Sequence, residues 1–435
     1  MAEATATVTT GSATVSGSTG ATLSGSWTGA TGSIYEAGVV YSTQQSYVNS
    51  PEANWNNQSL GKSYDSSNVG SHVSGSISCT LEDLSPSTTY YYRAFVREYN
   101  ESTSSHEYRF GSVLSFTTEA QVPAGYEYLT DYGMPDVSGL SPASRATGTN
   151  SDRDDNWYSF STSSNSRQIA VHTYTHNNEE TLNYVVLYDG SKYAPVWTAH
   201  TMNSTYWPNN SVGRNEAWTT DPAISLTQQS GLNNAGTVGY SMGHLVASEY
   251  RQSSVKQNKQ TFYYSNQAPQ WQNGFNGSAA GYSGNGIWQQ LENRVVAMTP
   301  SGTTMLYVVT GVLYEGTITT KPSGSLNVPI PSHFYKCIMK CTFTNGTITD
   351  AKGIAFVYTN ESHAGEDYVA GATSIDAIEA RANFNFFANV PGGDSDANGL
   401  QGKAEANLSH TWFTGVSSGT NGGISPVTDS NWGSL

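Results

Sequence analysis

A chain of 435 residues is too long for one ordinary domain and fits two or three. Only 12% of its residues are charged, and no apolar run approaches the roughly 18–20 residues of a membrane span, so a helical membrane protein is excluded. The net charge of −15 argues against nucleic-acid binding over the general surface, because phosphate contacts are made mostly by Lys and Arg; an enzyme needs only a local cationic patch.

Ser, Thr, Asn, Gly and Tyr take the place of charge, with 28 tyrosines and 43 glycines. That mixture favours strands joined by polar turns. It is also associated with exported bacterial surface proteins, so a secreted, cell-surface or periplasmic location is expected. Met1-Ala2-Glu3 runs straight into a Thr/Ser/Gly-rich strand pattern, and the expectation is a mature form whose export signal has been removed.

Residues 1–118 read as short strands: ATVSGS, TLSGSW, AGVVYST, SISCTL, TYYYRAFV and VLSFTT, separated by Gly/Ser/Asn turns. Without helical periodicity, this is an all-β sandwich. Leu84, Pro86, Thr88 and Tyr90, followed by Arg93-Ala94-Phe95-Val96, resemble the corner-and-strand signature of fibronectin type III domains, with Trp27 at the place of their core tryptophan. Residues 119–125 have linker composition.

Residues 126–392 form a second, α+β domain. Strand-like pieces occur at RQIAVHTY, NYVVLYD, QTFYYSN, MLYVVTG, KCIMKCTF and GIAFVYT. In GNGIWQQLENRVVAM, Ile287, Leu291 and Val295 recur at helical spacing, with Asn285 available as N-cap; in SIDAIEARANF, Ser374 can cap and Ile375, Ile378 and Ala382 share a face. Cys337 and Cys341 lie on one strand, roughly 13 Å apart, too far to bridge, and no zinc spacing accompanies them; with Cys79 they are expected to be buried structural thiols. Residues 393–435 are Gly/Ser/Asn/Asp-rich, a C-terminal extension expected to wrap the domain or stay mobile.

The stretch from Tyr240 to Val296 contains Gly243-His244, then QTFYYSNQAPQ, GFNG and GIWQQLE. It resembles the DNA/RNA non-specific endonuclease family, the ββα-metal or His-Me finger nucleases, in which a hairpin and a helix hold one histidine over one divalent metal. NYVVLYDGSKYAPVWTAH, RNEAWTTDPAI, MLYVVTGVLY, IPSHFYK and DAIEARANFNFFANVP follow that family's order. The resemblance implies a metal-dependent, sugar-non-specific endonuclease acting on DNA and RNA with little sequence preference, since contacts to metal and phosphate carry no base information.

Phosphodiester hydrolysis needs a base for the water proton and cations for the charge developing on phosphate. By the resemblance, His244 is the general base. Asn276 is the metal ligand, an oxygen donor suited to Mg²⁺ (or Mn²⁺). Glu292 is the carboxylate that orients the metal's water, and Arg214 binds phosphate. Asn266 and Gln270 position the histidine and the site, Gln270 and Arg294 being expected to meet substrate. One position departs from the pattern: the family reads Asp-Arg-Gly-His where this chain has Ser241-Met242-Gly243-His244. Met242 replaces a phosphate-binding arginine, a loss of roughly 1.5–3 kcal/mol for a charge-assisted bond. Arg251, Lys256, Lys259 and Arg294 are the nearby cations available to compensate. The spacer between Asn276 and Trp288 is longer than usual and is expected to form a lid or reshape the groove.

Two rival readings remain at this level. GYSMG at 239–243 matches the G-x-S-x-G nucleophile elbow with Ser241 as nucleophile, but neither the apolar strand before it nor the helix after it is present. The other rival is a catalytically degenerate nuclease-like domain used for binding or adhesion. The partner of the fibronectin-like domain is not indicated.

Overall fold

The computed structural model describes residues 3–406, apart from 71, 120–125, 138–145, 206–211, 231–238, 283, 394, 395 and 397. Most of the expected linker and residues 407–435 therefore lie outside the described residues. The chain divides into two compact units, Met1–Val122 and Pro123–Leu435, each taken by itself.

The first unit holds β1 (Thr7–Ser16), β2 (Gly20–Thr28), β3 (Ile34–Ser42), a short α1 (Gln45–Asn49), β4 (Gly61–Tyr64), β5 (Gly75–Leu81), β6 (Thr89–Asn100), β7 (Ser105–Phe110) and β8 (Leu114–Thr117). One sheet runs β1-β2-β5; the other runs β4-β3-β6-β7, with β8 also paired to β6. Alternation along the strands explains the sandwich: Tyr90, Tyr92, Ala94 and Val96 point inward from β6 to meet Leu23, Trp27, Val39 and Ile77. Tyr90 Oη accepts from the Ser85 amide at 2.9 Å, a tyrosine-corner contact typical of such sandwiches.

The second unit is built on a nine-stranded antiparallel sheet. Its strands are β9 (Ala146–Asn150), β10 (Asp154–Ser161), β11 (Arg167–His176), β12 (Glu179–Asp189), β13 (Ala194–Met202), β16 (Thr304–Leu313), β19 (His333–Thr344), β20 (Thr347–Thr359) and β21 (Ala372–Thr373). They are ordered β21-β20-β19-β16-β13-β12-β11-β10-β9. Two hairpins stand apart from it: β14 (Tyr240–His244) with β15 (Gln267–Trp271), and β17 (Thr320–Ser323) with β18 (Leu326–Pro329).

The central strands are apolar almost throughout because both faces are covered. On one face, Val309, Cys337, Met339 and Ala355 pack against α4 (Ile375–Ala382), α5 (Leu400–Ala406) and Phe386, Phe387 and Val390. On the other, Val308, Phe334, Ile338 and Phe356 pack against Leu245, Ala268, Phe275 and the Trp288 and Leu291 face of α3 (Ile287–Ala297). The second face thus carries the β14–β15 hairpin and α3. All three cysteines are free and buried.

Three local expectations change. α3 is capped by Gly286, not Asn285, and by no side chain. Its orphan amides are met by a neighbouring loop: Ile287 N–H donates to Gly274 O at 3.3 Å and Trp288 N–H to Phe275 O at 3.0 Å. A Cβ on Gly286 would lie 2.2 Å from Phe275 O, so only glycine allows this approach. QTFYYSN is not a strand. It finishes α2 (Val255–Gln260) and turns into a 3₁₀ segment, Tyr264–Asn266; Tyr263 makes only an isolated bridge to Thr219, and Phe262 and Tyr263 are drawn singly into separate buried contacts. Finally, within the expected C-terminal extension of residues 393–435, Leu400–Ala406 forms the helix α5, whose Ala404 enters the core. At α4 the structure follows the sequence pattern, Ser374 Oγ accepting from the Ala377 amide at 3.2 Å.

Candidate active site

The hairpin pairs Ser241 with Gln270, Met242 with Pro269, Gly243 with Ala268 and His244 with Gln267. Gly243 is required by packing, since a Cβ there would come within 2.4 Å of the Gln270 Cβ. Beyond His244 the backbone is pinned by the buried Asn266. Its Oδ1 accepts from the Val246 amide at 2.9 Å, its carbonyl accepts from the Leu245 amide at 3.1 Å, and its Nδ2 donates to Val246 O at 3.0 Å and Thr261 O at 2.8 Å. Asn266 therefore fixes the main chain on which His244 stands.

The His244 ring lies against Trp218 at 4.8 Å and edge-on to Phe262 at 5.0 Å between centroids. Its Nε2 is buried and has no hydrogen-bond partner among the described residues, while part of the residue stays open to solvent. The Arg214 guanidinium sits 4.8 Å over Phe262, donates to Ser248 Oγ at 3.1 Å and pairs with Glu216 at 3.3 Å. Burial, reinforced by the Arg214 charge, pushes the His244 pKa down to about 3. The imidazole is therefore neutral at neutral pH, the state from which a general base starts, and burial makes it a weaker base than a free imidazole.

Asn276 follows β15 in the loop whose carbonyls cap α3. Its Nδ2 donates to Ser241 Oγ at 2.9 Å and approaches Gln272 Oε1 at 3.4 Å, and its amide N–H donates to Trp271 O at 3.1 Å. The nitrogen side of the amide is thus engaged. Ser241 Oγ in turn donates to Gln270 O at 3.3 Å. Ser241 therefore sits in an antiparallel hairpin as a holder of Asn276, and the strand–elbow–helix setting of a hydrolase nucleophile is absent.

Glu292 lies on α3, one turn beyond Trp288. Burial raises its carboxyl above the usual range, opposed by the charge of Lys336; Glu249 adds to the rise, and Arg214 lowers it. Arg214 thus acts electrostatically on both His244 and Glu292. Arg294, two residues on and roughly 200° round the helix, faces away from Glu292 and is half-buried. Gln270 is fully buried beneath Gly243, so the substrate contact expected of it is not available in this arrangement. Among the cations expected to compensate for Met242, Arg251 is buried, its guanidinium donating to Asn183 O, Tyr250 O and Thr201 O. Lys256 is paired with Asp155, and Lys259 lies 3.6 Å from Asp152. On the long spacer after Asn276, Tyr282 is 57% exposed.

Two features escaped the sequence reading. His172 is fully buried between two carboxylates, Nδ1 at 2.8 Å from Asp154 and Nε2 at 3.0 Å from Asp221. Tyr263 Oη donates to Asp154 and Ser265 Oγ to Asp221, so this ionic core fixes the segment that ends in Asn266. Burial opposes the charge on His172, but Asp221 and Asp154 outweigh it and raise the pKa to about 10. No local spacing joins residues 154, 172 and 221, so sequence offered no signal. The second feature is Lys336, fully buried in β19; a lysine inside the apolar run FYKCIMKCTF was the available signal. Elsewhere, the carboxylates of Asp376, Glu379 and Glu405 come within 4.8 Å of one another, on the sheet face opposite the hairpin.

A family model described as DNA/RNA non-specific endonuclease matches residues 162–392, more than half of the chain. A nuclease from Nostoc sp. (strain PCC 7120 / SAG 25.82 / UTEX 2576) is 24% identical over 219 residues, covering 48% of this chain and 72% of that protein. Among solved structures, the EndoG/EndoGI complex, described in terms of EndoG inhibition, matches at 25% identity over 50% of this chain and 86% of the other, with a TM-score of 0.41. The sensor domain of the anti-sigma factor RsgI4 in Pseudobacteroides cellulosolvens matches at 23% identity over 27% of this chain and 93% of its own, with a TM-score of 0.18.

Proposed function

Because the chain belongs to the DNA/RNA non-specific endonuclease family, we propose that its C-terminal unit hydrolyses phosphodiester bonds in both DNA and RNA with His244 as general base. One observation carries the reading. His244 is a neutral, partly open imidazole with Arg214 beside it, on a hairpin whose second strand leads into Asn276.

Asn276 would hold a divalent cation, Mg²⁺ or Mn²⁺. Ser241 and Gln272 engage the amide nitrogen, which leaves Oδ1 as a hard-oxygen donor, and a single donor suits an ion that keeps most of its waters. When bound, such a cation supplies positive charge to the phosphate oxygens. The protein's part is then positional. His244 takes the proton of the attacking water, Arg214 binds the phosphate and balances its growing charge, and Glu292 accepts a hydrogen bond from water. Asn266 and Gln270 act through the backbone and packing of the hairpin.

Met242 in place of arginine favours a second reading, a domain that binds nucleic acid without cleaving it, since buried Arg251 cannot replace the missing charge. Plasmid DNA and a structured RNA incubated with the full chain in Mg²⁺, Mn²⁺ or EDTA separate the two. The nuclease reading predicts cleavage of both nucleic acids in either metal, none in EDTA, and severe loss in Asn276→Ala. Binding with no cleavage in any metal would establish the second reading.

On composition we also infer an exported protein, which fractionation of the producing cells tests: recovery only from the cytosol would refute it. The tyrosine corner and buried Trp27 support a fibronectin type III-like identity for the N-terminal unit, and we propose a spacer or adhesion role for it. Cleavage of DNA or RNA unchanged in rate but lost from the cell surface on its deletion is the expected result; unchanged localisation would count against it.

A further inference from the structure

The face of the sheet beneath α3 contains a buried ionic group that the proposed chemistry does not use. Lys336 leaves β19 between Phe334 and Ile338 and is fully buried. Its ammonium donates to Thr310 Oγ1 at 2.7 Å and lies 4.8 Å from the Trp288 ring and 5.3 Å from the Tyr250 ring. Aromatic faces and one hydroxyl do not neutralise a buried ammonium; a nearby negative charge is needed.

The groups around it narrow the choice. His200 of β13 is fully buried, and burial, with Arg251 and Lys336 adding to it, keeps that ring uncharged. Arg251 is itself a cation. The thiol of Cys337 is held protonated by burial. Glu292 is the carboxylate that acts on Lys336, and burial draws their two pKa values towards one another, the acid up and the base down. Glu249 and Arg214 are the other charges acting on Glu292, with opposite signs.

The same lysine is also mechanically linked to both parts of the site. Trp288, over its ammonium, stacks on Phe275 at 5.9 Å and 16°. Phe275 precedes Asn276, and Glu292 is one helical turn beyond Trp288. We propose that Lys336 is a positioning residue of the nuclease site: from the sheet face beneath α3 its ammonium holds the Trp288–Phe275 stack in place and supplies a counter-charge to the Glu292 carboxylate one helical turn beyond Trp288. This rests on the nuclease reading above.

Two readouts test it on the full chain. The first is a thermal-unfolding cycle in EDTA with Lys336→Met, Glu292→Gln and the double variant. Coupling predicts that the double variant melts at least about 2–4 °C above the sum of the single losses, an interaction of roughly 1 kcal/mol in a domain of this size. The second is steady-state cleavage in Mg²⁺, where Lys336→Met lowers kcat at least tenfold while KM stays within twofold. Should Lys336→Met fail to fold, Thr310→Val removes the ammonium's hydrogen bond and keeps its charge, and a smaller kcat loss at constant KM is expected. Additive melting losses, or kcat and KM changing only in step with stability, would overturn the proposal. A parent that cleaves neither nucleic acid fails the nuclease reading, and with it the positioning role, while a non-additive cycle in that same parent still establishes the Lys336–Glu292 pairing.

Discussion

At the scale of single residues, the site depends on groups that orient others. Ser241 stands where the family has aspartate and holds the Asn276 amide at 2.9 Å. Ser241→Ala removes about 1 kcal/mol of hydrogen bonding, so the Mg²⁺ concentration for half-maximal cleavage should rise roughly fivefold with little change in melting temperature; an unchanged metal requirement would show that Ser241 does not hold the ligand. His172 makes a different prediction. Its folded pKa is raised above its unfolded value of about 6.5, so the stability it contributes is complete below that pH and is lost as pH rises towards about 10. His172→Asn leaves two buried carboxylates without their cation and should cost about 3–5 kcal/mol. In urea titrations, the parent should lose stability between pH 7 and 10, and the variant should lose much less of it.

At the scale of elements, the proposed site is carried by the β14–β15 hairpin, the Gly274–Gly277 loop and α3. The loop's carbonyls cap the helix, so Asn276 and Glu292 move together. Gly286→Ala drives a Cβ to 2.2 Å from Phe275 O and 2.6 Å from Gly277 O. Neither is a flexible side chain, so overpacking of roughly 1–3 kcal/mol is expected, together with a kcat loss larger than the stability loss explains. Parental kcat in a folded Gly286→Ala protein would argue against this coupling. Much of this element was legible in sequence, because Ile287, Leu291 and Val295 mark the buried face of α3 and ordered motif blocks mark the hairpin. What sequence could not give was the cap, which comes from a backbone thirteen residues earlier, and the fate of QTFYYSN. Its aromatic, strand-like composition is used for three separate buried contacts, to Asp154, Trp218 and His244. The role of Ser241 was hidden in the same way: on paper it mimics a nucleophile, and in the fold it turns to Asn276.

At the scale of the whole molecule, an acidic protein works on an acidic polymer. The net charge is −15, and three cations near the proposed site are already engaged, Arg214 with Glu216 and Lys256 and Lys259 with aspartates. A protein making six to ten phosphate contacts loses about 10³–10⁵ in affinity between 50 and 200 mM salt. Here KM for DNA should rise less than about tenfold over that range, measured at fixed Mg²⁺. A steep rise would reveal a cationic groove that the charge distribution does not suggest. Five strands of the sheet were readable from apolar runs, whereas its order and its two covered faces were not, because they depend on contacts between segments far apart in the chain. The ionic cores at His172 and Lys336 were not, because each draws on residues far apart in sequence.

The central claim is that His244 is the base of a nuclease, and it is tested most directly by one comparison: nicking of supercoiled plasmid in Mg²⁺ by the parent and by His244→Ala, at matched concentration and with matched melting curves. The account predicts a loss of about 10²–10⁴-fold, the usual contribution of a general base, with DNA binding retained. A His244→Ala protein that nicks plasmid at the parental rate would contradict it.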